Sequence, residues 1–235
     1  MTCRTVAIMQ PTYLPWSGYF DLMDQCDLFV FLDTVQFDKR SWQQRNRVKT
    51  DRGELYLTVP VLSKGRFEQR IAEAEIDASR HFEDTHVRTV DMAYAKAPHA
   101  TPYLSQWAAV MRAGHGRLAD LNIALIEWLR DAAGIPTKTL RASTLDVSGK
   151  RVELLVEICK AVGADHYLSP AGARAYIEEN DLFGVNGIEL SYQAYSAPRY
   201  RQLHGEFIPS LYTLDLLLNE GDRSLSLIRS GRHGA

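Results

Sequence analysis

The stretch that decides the fold is RTVAIMQPTYLPWSGYFDLMDQCDLFVFLD, residues 4–33. Its first apolar run has the length of a buried strand and stops at a Gln-Pro pair. A tight loop with two prolines and Gly18 follows, then a helical pattern of apolar residues, then a second apolar run, LFVFLD. Strand, loop, helix and strand within about thirty residues form a βαβ unit, whose two strands are parallel. We therefore predict an open parallel sheet.

The rest of the sequence indicates a single α/β domain over residues 1–228, with a tail at residues 229–235. Residues 36–80 are polar and basic and then extended, which predicts an inserted segment with a small antiparallel hairpin. Residues 82–133 look mainly helical. The α/β alternation then returns. Strands are predicted in TKTLRAS, ADHYLS and GIELSYQAY, and helices in GKRVELLVEICKAVG, PAGARAYIEEN and TLDLLLNEG.

The composition is that of an ordinary globular protein, with 46% hydrophobic residues, 24% charged residues and a formal net charge of −2. This charge gives no general reason to bind nucleic acid or an acidic membrane, so an anion site requires local clustering. The cysteines are isolated, and His81 and His86 lack a third ligand at metal spacing, so no metal site is predicted. We find no signal peptide and no run near the roughly 18 apolar residues of a membrane span. We expect a cytoplasmic protein without a membrane partner.

The loop between the first strand and the first helix is the first candidate site. Open parallel sheets bind ligands beyond the carboxyl ends of their strands, where helix N-termini present free N–H groups. Nucleotidyltransferases of the HUP fold class carry an HxGH motif in this loop; Trp16 and Tyr19 stand at its histidine positions, and only Gly18 matches. The alternative is that the prolines and the glycine merely shape a tight turn. We assign a catalytic role to Tyr19, and cofactor binding to Gln10, Pro11, Tyr13, Pro15, Trp16 and Gly18.

The second candidate site is the basic stretch between residues 38 and 52, which has six cationic side chains and only two acidic ones. Arginine presents a planar fork that suits phosphate or carboxylate, and Trp42 can stack on a base or a sugar. The alternative is an ordinary solvated loop. We assign catalytic charge stabilisation to Lys39, Arg40 and Arg45.

Polar residues at other strand ends and helix starts form the third candidate site. Asp33 ends the second strand, where its carboxylate can hold a hydroxyl, an amine or Mg²⁺, and we assign it a catalytic role. Ser169 either caps a helix or faces an anion. Lys150 and Arg151 at a helix start oppose the helix dipole, a cost that an anionic ligand would offset. The residues assigned here to cofactor binding are Ser143, Lys150, Ser169 and Gly172.

The sequence also resembles a known family. IMQPTYLPWSGYFDLMDQCDLFVFLDTVQFDKRSWQQRNRVKT, residues 8–50, is similar to the N-terminal signature of the WbqC-like family of bacterial surface-polysaccharide proteins. AYAKAPH, GADHYLSPAGARAYI, YRQLHGEFIP and LDLLLNEG resemble its downstream blocks, so the resemblance covers nearly the whole chain. The family pattern has histidine and lysine where this chain has Met9 and Leu22. The resemblance implies substrate contacts from Gln36, Asn46, Lys96, Tyr176, Gln202, Asp215 and Asn219.

The resemblance associates the chain with O-antigen and other surface-glycan clusters. With a HUP-like, Rossmann-like sheet and a basic segment, it favours a nucleotide-using transferase or ligase that binds a small anionic ligand and acts on an amino sugar or a related amine in surface-glycan or natural-product biosynthesis. ATP-dependent amide formation, as in pantothenate synthetase of this fold class, would be the analogous step, with ATP or a nucleotide-sugar and Mg²⁺ as cofactors. The alternative is a non-catalytic module that binds a nucleotide-sugar within a biosynthetic complex. RNA binding ranks last because the positive charge is confined to one stretch.

Overall fold

The computed structural model describes residues 3–178 and 181–233. The strands in this part of the chain are β1 (Thr5–Met9), β2 (Leu28–Phe31), β3 (Arg45–Thr50), β4 (Gly53–Thr58), β5 (Lys138–Arg141), β6 (His166–Ser169) and β7 (Glu189–Tyr192). The helices are α1 (Ser17–Asp24), α2 (Phe82–Tyr94), α3 (Ala100–Met111), α4 (Leu118–Ala132), α5 (Val152–Ala161), α6 (Arg174–Ile177), α7 (Leu182–Val185), α8 (Thr213–Glu220) and α9 (Ser224–Ser230). None of these described helices is long and apolar enough to cross a membrane.

The main sheet has the strand order β5-β2-β1-β6-β7, and every neighbouring pair is parallel. The chain builds outward from β1 through β2 to β5, then crosses back and places β6 on the other side of β1. The carboxyl ends of β1 and β6 therefore flank the point where the strand order reverses, which is where open α/β sheets bind ligands. The predicted α/β fold with an open parallel, Rossmann-like sheet is confirmed.

Helices cover both faces of this sheet, and the strand sequences reflect that burial. Val6 and Ile8 of β1 pack into one core, against α5, α6 and α7. Ala7 faces the opposite core, which is built mainly from α1, α2, α3, α4 and α8. Parallel strands buried on both faces are apolar throughout instead of alternating with polar residues. This explains why the first two strands read as continuous apolar runs.

The segment between β2 and β5 holds the hairpin and the helices. Strands β3 and β4 pair in antiparallel register from Arg45 with Thr58 to Thr50 with Gly53. Gly53 turns the chain with a φ of +101°, a conformation that glycine adopts without steric cost. The predicted segment 36–80 contains this hairpin, and the predicted helical region 82–133 contains α2, α3 and α4.

The C-terminal segment differs from the tail proposed at residues 229–235. Helix α9 continues to Ser230, and Arg232 donates from Nε to the buried carboxylate of Asp21 at 2.5 Å. The amide of His233 bonds the carbonyl of Ala194 at 3.0 Å. Arginine–carboxylate contacts to α1 thus hold a polar segment whose sequence shows no apolar periodicity. Residues 234–235 of the proposed tail, and residues 179–180 at the end of the helix predicted in PAGARAYIEEN, lie outside the described residues.

Candidate functional site

Three cavities adjoin at the carboxyl edge of the sheet, where the strand order reverses. Their volumes are about 450, 410 and 250 Å³, and Met9, the last residue of β1, lines all three. Pro170, directly after β6, lines the first two. Together these cavities are termed the switch-point cleft. The cleft occupies the position that the sheet topology assigns to a ligand.

Aromatic rings and amides dominate the lining of the switch-point cleft. The aromatic members are Trp16, Tyr19, Trp42, Tyr167, Tyr176 and Tyr195, and the amides include Gln10, Gln36, Gln43, Asn46 and Gln193. Among the lining residues only Asp38 and Arg47 are charged. Planar faces with neutral hydrogen-bonding groups suit a nucleobase or a sugar ring better than a densely charged ligand.

The loop between β1 and α1 forms one wall of the cleft and is held from behind. The side-chain amide of Asn46 donates to the carbonyls of Tyr13 and Leu14 at 3.2 and 2.6 Å. The side-chain amide of Asn122, on α4, donates to the carbonyl of Pro11 at 3.0 Å. Leu14 has a φ of +49°, a left-handed conformation that is costly for leucine. These bonds therefore fix a strained backbone that would otherwise relax.

Gln43 connects this wall to the segment after β2. Its side chain is buried, and Nε2 donates to Oε1 of Gln10 at 2.8 Å. Its Oε1 accepts from the amide of Asp38 at 2.8 Å. The Gln43 carbonyl in turn accepts from Asn122 at 2.7 Å. One buried glutamine thus sets the relative position of two walls of the cleft.

Tyr19 lies under the cleft with its ring fully buried. Its hydroxyl donates to the carbonyl of Gln10 at 3.2 Å. Burial raises the pKa of Tyr19 well above its usual range, so the hydroxyl stays protonated at neutral pH. Tyr19 thus forms the bottom of the cleft, and its hydrogen bond to Gln10 orients the loop between β1 and α1. The catalytic role assigned to Tyr19 stays a prediction.

The indole of Trp16 packs closely against the backbone of Gly18. A Cβ atom built on Gly18 would lie 2.3 Å from Cζ2 of that indole. We expect Gly18→Ala to displace the ring, to lower the free energy of unfolding by about 2 kcal/mol through overpacking, and to weaken ligand binding in the cleft. Chemical denaturation and near-ultraviolet circular dichroism measure the two structural effects.

Gly172 offers a matched control for that substitution. It also lines the cleft, but a Cβ atom there would meet nothing within 4 Å. Gly172→Ala should therefore change stability by no more than about 0.5 kcal/mol. Equal effects at the two positions would show that contact with the Trp16 ring does not explain Gly18.

The structure divides the predicted site residues into two groups. Those that line the switch-point cleft are Gln10, Pro15, Trp16, Gly18, Tyr19, Gln36, Asn46, Gly172 and Tyr176. Those that line none of its three cavities are Pro11, Tyr13, Asp33, Lys39, Arg40, Arg45, Lys96, Ser143, Lys150, Ser169, Gln202, Asp215 and Asn219.

Asp33 is fully buried, and both of its carboxylate oxygens are occupied by Ser143. One oxygen accepts from the Ser143 amide at 2.9 Å and the other from its hydroxyl at 2.6 Å. Ser143 follows β5, so the contact joins the ends of two adjacent strands. Asp33 and Ser143, both predicted as site residues, therefore bond to each other and do not line the cleft.

The cations predicted to stabilise charge lie outside the cleft. Arg45 stacks over the ring of Tyr56, with Cζ 4.9 Å from the ring centroid. Lys39 is exposed and lines a neighbouring cavity of about 500 Å³, and Arg40 is exposed with a φ of +66°. The arginine that lines the cleft is instead Arg47, which lies two residues after Arg45 in β3.

Several residues implied by the family resemblance lie at a different place in the fold. Lys96 lines a groove of about 660 Å³ between the β3–β4 turn and the end of α2. Asp215 is buried and accepts from the hydroxyls of Tyr94 and Tyr200, each at 2.6 Å. Gln202 accepts from the buried Lys49 at 3.2 Å. This groove is larger than any single cavity of the cleft but lies away from the carboxyl ends of the strands.

The sequence reasoning did not assign Thr12, Asp38, Arg47, Gln43, Gln193 or Tyr195 to the site, although all line the cleft. Arg47 and Arg45 lie in the same basic run, and alternation along β3 gives them the same face. Only the packing of the hairpin against the sheet edge distinguishes them. No group of three or more His, Cys, Asp or Glu side chains within the described ranges has metal-site geometry.

Comparisons with known proteins show the family to which the chain belongs. The model of the WbqC-like protein family matches residues 10–227, which include almost the entire lining of the cleft. The uncharacterized protein Rv1507c of Mycobacterium tuberculosis is 35% identical over 229 residues, which cover 96% of this chain and 98% of the relative. No solved structure matches the chain. The family match and the full-length relative together show that the chain belongs to the WbqC-like protein family.

Proposed function

We propose that the switch-point cleft binds a nucleotide-linked sugar and that the protein is a transferase or ligase that modifies an amine on such a sugar. The observation that carries this proposal is a cleft of aromatic rings and amides at the reversal of the strand order. Trp42 and Tyr176 line it with 50% and 43% of their surface exposed, so part of each ring is accessible to a ligand.

The amides supply the hydrogen bonds that such a ligand needs. Gln10 uses Oε1 to accept from Gln43, and no acceptor among the described residues takes its Nε2. Gln36 uses Nε2 to donate to the carbonyl of Phe67 at 2.9 Å and keeps its oxygen for another partner. One free donor and one free acceptor match the hydroxyl and carbonyl groups of a sugar or a base.

In acyl transfer, the sugar amine attacks the carbonyl carbon of an activated acyl donor such as an acyl adenylate. The new C–N bond replaces the bond from that carbon to AMP, AMP leaves, and a nearby group takes the proton that the amine loses. Asp38 is the carboxylate in the cleft lining, and its side chain accepts no hydrogen bond from the described residues. Its backbone is fixed, because its amide donates to Gln43 at 2.8 Å and its carbonyl accepts from the hydroxyl of Ser41 at 2.6 Å. We assign Asp38 the role of general base. The biosynthetic setting that fits an amino-sugar substrate is the assembly of a surface glycan or a related natural product.

The lining fits a nucleotide-sugar better than ATP with Mg²⁺. A triphosphate carries more negative charge than the diphosphate of a nucleotide-sugar, and Arg47 is the single cation among the lining residues. Ionised Asp38 would repel a dense anion nearby. If ATP is the donor, Mg²⁺ has to arrive with its phosphates.

The first test of this proposal removes the aromatic side chains that we expect to stack on the ligand. Trp42→Ala and Tyr176→Ala should each weaken binding of a nucleotide-sugar by about tenfold or more, because aromatic stacking on a base is worth about 1–3 kcal/mol. Isothermal titration calorimetry with uridine, thymidine and guanosine diphosphate sugars measures this. Tyr56→Ala is the control, because Tyr56 is 49% exposed and lines no cavity of the cleft. Equal losses in all three variants would contradict the proposal.

A non-catalytic module that binds a nucleotide-sugar is the second candidate. It is favoured because Asp33, Lys39, Arg40 and Arg45 do not meet in the cleft. An assay for pyrophosphate, AMP or nucleoside diphosphate release, with candidate acids and amino sugars, separates the two functions. Turnover that Asp38→Asn abolishes without weakening binding supports the enzyme, whereas tight binding without turnover supports the module.

A further inference from the structure

Arg47 is the positive charge of the switch-point cleft. It lines the cavity of about 250 Å³ together with Trp16, Tyr19 and Trp42. Its guanidinium carbon lies 5.9 Å from the ring centroid of Trp42, the residue that we expect to stack on the ligand. A group bound by Arg47 would therefore be a direct neighbour of a ring stacked on Trp42.

Only one of the three guanidinium nitrogens of Arg47 donates a hydrogen bond to the described residues. Nη1 donates to both carboxylate oxygens of Glu54, at 2.9 and 3.1 Å. Nε is buried without a hydrogen-bond partner, and no acceptor in residues 3–178 and 181–233 binds Nη2. A buried donor without an acceptor is rare in folded proteins because it loses the hydrogen bond that water would supply.

The two unused donors lie on one edge of the group. In a planar guanidinium, the N–H bonds of Nε and Nη2 point the same way and form a fork that fits two oxygens of one anion. Glu54 holds the opposite side through Nη1. Because Nε is shielded from solvent, the Arg47 side chain has to shift slightly, with the Glu54 contact kept, for both donors of the fork to reach one anion. The contact with Glu54 also neutralises much of the charge of Arg47, so the fork offers directed hydrogen bonds more than a strong positive field.

We propose that Arg47 is the residue that recognises the phosphate of the ligand, with Nε and Nη2 as the two donors. This inference rests on the proposed function for the identity of the complete ligand, but not for the phosphate itself. The phosphate has two possible sources, a nucleotide diphosphate linkage or a free sugar phosphate. Both present paired oxygens to the fork, and the experiment below distinguishes them.

The test compares Arg47→Gln with Arg45→Gln. Both substitutions remove one positive charge from β3, but Arg45 stacks on Tyr56 and lines no cavity of the cleft. Calorimetry is run on the full chain with a nucleoside diphosphate sugar, the matching sugar 1-phosphate, inorganic phosphate and the uncharged nucleoside. Arg47→Gln should weaken the phosphate ligands by about tenfold or more and leave the nucleoside unaffected. Arg45→Gln should change each affinity less than about twofold.

Glu54→Gln provides a variant with the opposite expected sign. It removes the negative charge beside Arg47 and keeps an oxygen that can accept from Nη1. The affinity for phosphate ligands should rise about threefold and become more sensitive to salt, because the attraction of Arg47 is then less neutralised. This readout remains valid if Arg47→Gln fails to fold.

The outcomes separate the inference from the proposed function. If the nucleotide-sugar binds equally to the wild type and Arg47→Gln, the inference is overturned and the proposed function stands. If only the sugar phosphate or inorganic phosphate binds, with loss in Arg47→Gln, the inference stands and the nucleotide-sugar proposal fails. Absence of binding for every phosphate ligand overturns both.

Discussion

Acidification from pH 7 to pH 4 is expected to destabilise the protein by about 3 kcal/mol through a single buried histidine, His86. His86 lies on α2 with 4% of its surface exposed, and its Nδ1 is 2.8 Å from the hydroxyl of Tyr13. Burial lowers the pKa of His86 from 6.5 to about 4, and a hydrogen bond with the Thr58 backbone opposes this shift in part. A neutral ring can accept the Tyr13 proton, whereas a charged ring cannot.

The sign of the effect follows from proton uptake in the two states. The unfolded chain binds a proton on His86 near pH 6.5, whereas the folded protein binds it only near pH 4. Between these values the unfolded state holds more protons, so the contribution is complete above pH 6.5 and is lost as the pH falls towards 4. Because Tyr13 lies in the loop between β1 and α1, which forms one wall of the cleft, we expect the same acidification to loosen this loop.

Urea denaturation at several pH values between 7 and 4 measures this dependence. His86→Gln, which stays neutral and keeps an acceptor for Tyr13, should show a shallower loss of stability than the wild type. His81→Gln is the control, because His81 is exposed at the start of the same helix. If His86→Gln follows the wild-type curve throughout, the histidine does not titrate as described.

Asp33→Ala is expected to lower the free energy of unfolding by about 3 kcal/mol, because it removes two hydrogen bonds to a buried carboxylate. The donors are the amide and the hydroxyl of Ser143, at 2.9 and 2.6 Å. Without Asp33 the turn after β5 is no longer tied to the end of β2. Thermal and urea denaturation of the variant give the size of the loss.

Asp33→Asn and Ser143→Ala complete the set of variants. Asparagine retains an oxygen for the Ser143 amide, and Ser143→Ala removes only the hydroxyl bond, so each should cost about 1 kcal/mol. Ligand affinity should not change in Asp33→Asn, because Asp33 lines no cavity of the cleft. If the Asp33→Asn protein is stable but loses binding or activity, then Asp33 takes part in the reaction, as the sequence predicts.

The beginning of the chain shows what the sequence can predict. Strand β1, helix α1 and strand β2 are coded by neighbouring residues, and their apolar runs follow from burial on both faces of the sheet. Gln10 and Gly18 therefore appear at the expected edge of the sheet. The missing side chain of Gly18 also leaves room for the Trp16 indole, a packing role that the sequence did not predict, and its cofactor-binding role stays a prediction.

The roles of single side chains were harder to predict because they depend on distant partners. The partner of Asp33 lies 110 residues further along the chain, so the sequence alone cannot show that its carboxylate is occupied. The choice between Arg45 and Arg47 depends on how the hairpin packs over the strand ends. Helix α9 packs Leu225, Leu227 and Ile228 against the core, and the contacts of Arg229 with Asp24 and of Arg232 with Asp21 join distant parts of the chain.

The central position of β1 has a consequence for biosynthesis. Thr5 and Val6 pair with His166 and Tyr167 of β6, so one edge of β1 stays open during synthesis until β6 has also emerged from the ribosome. Such long-range pairing slows folding, and an open apolar edge invites association between nascent chains. A translation stop before β6 should therefore yield aggregates instead of a smaller folded protein, and chaperones that shield strand edges should raise the yield of the complete one.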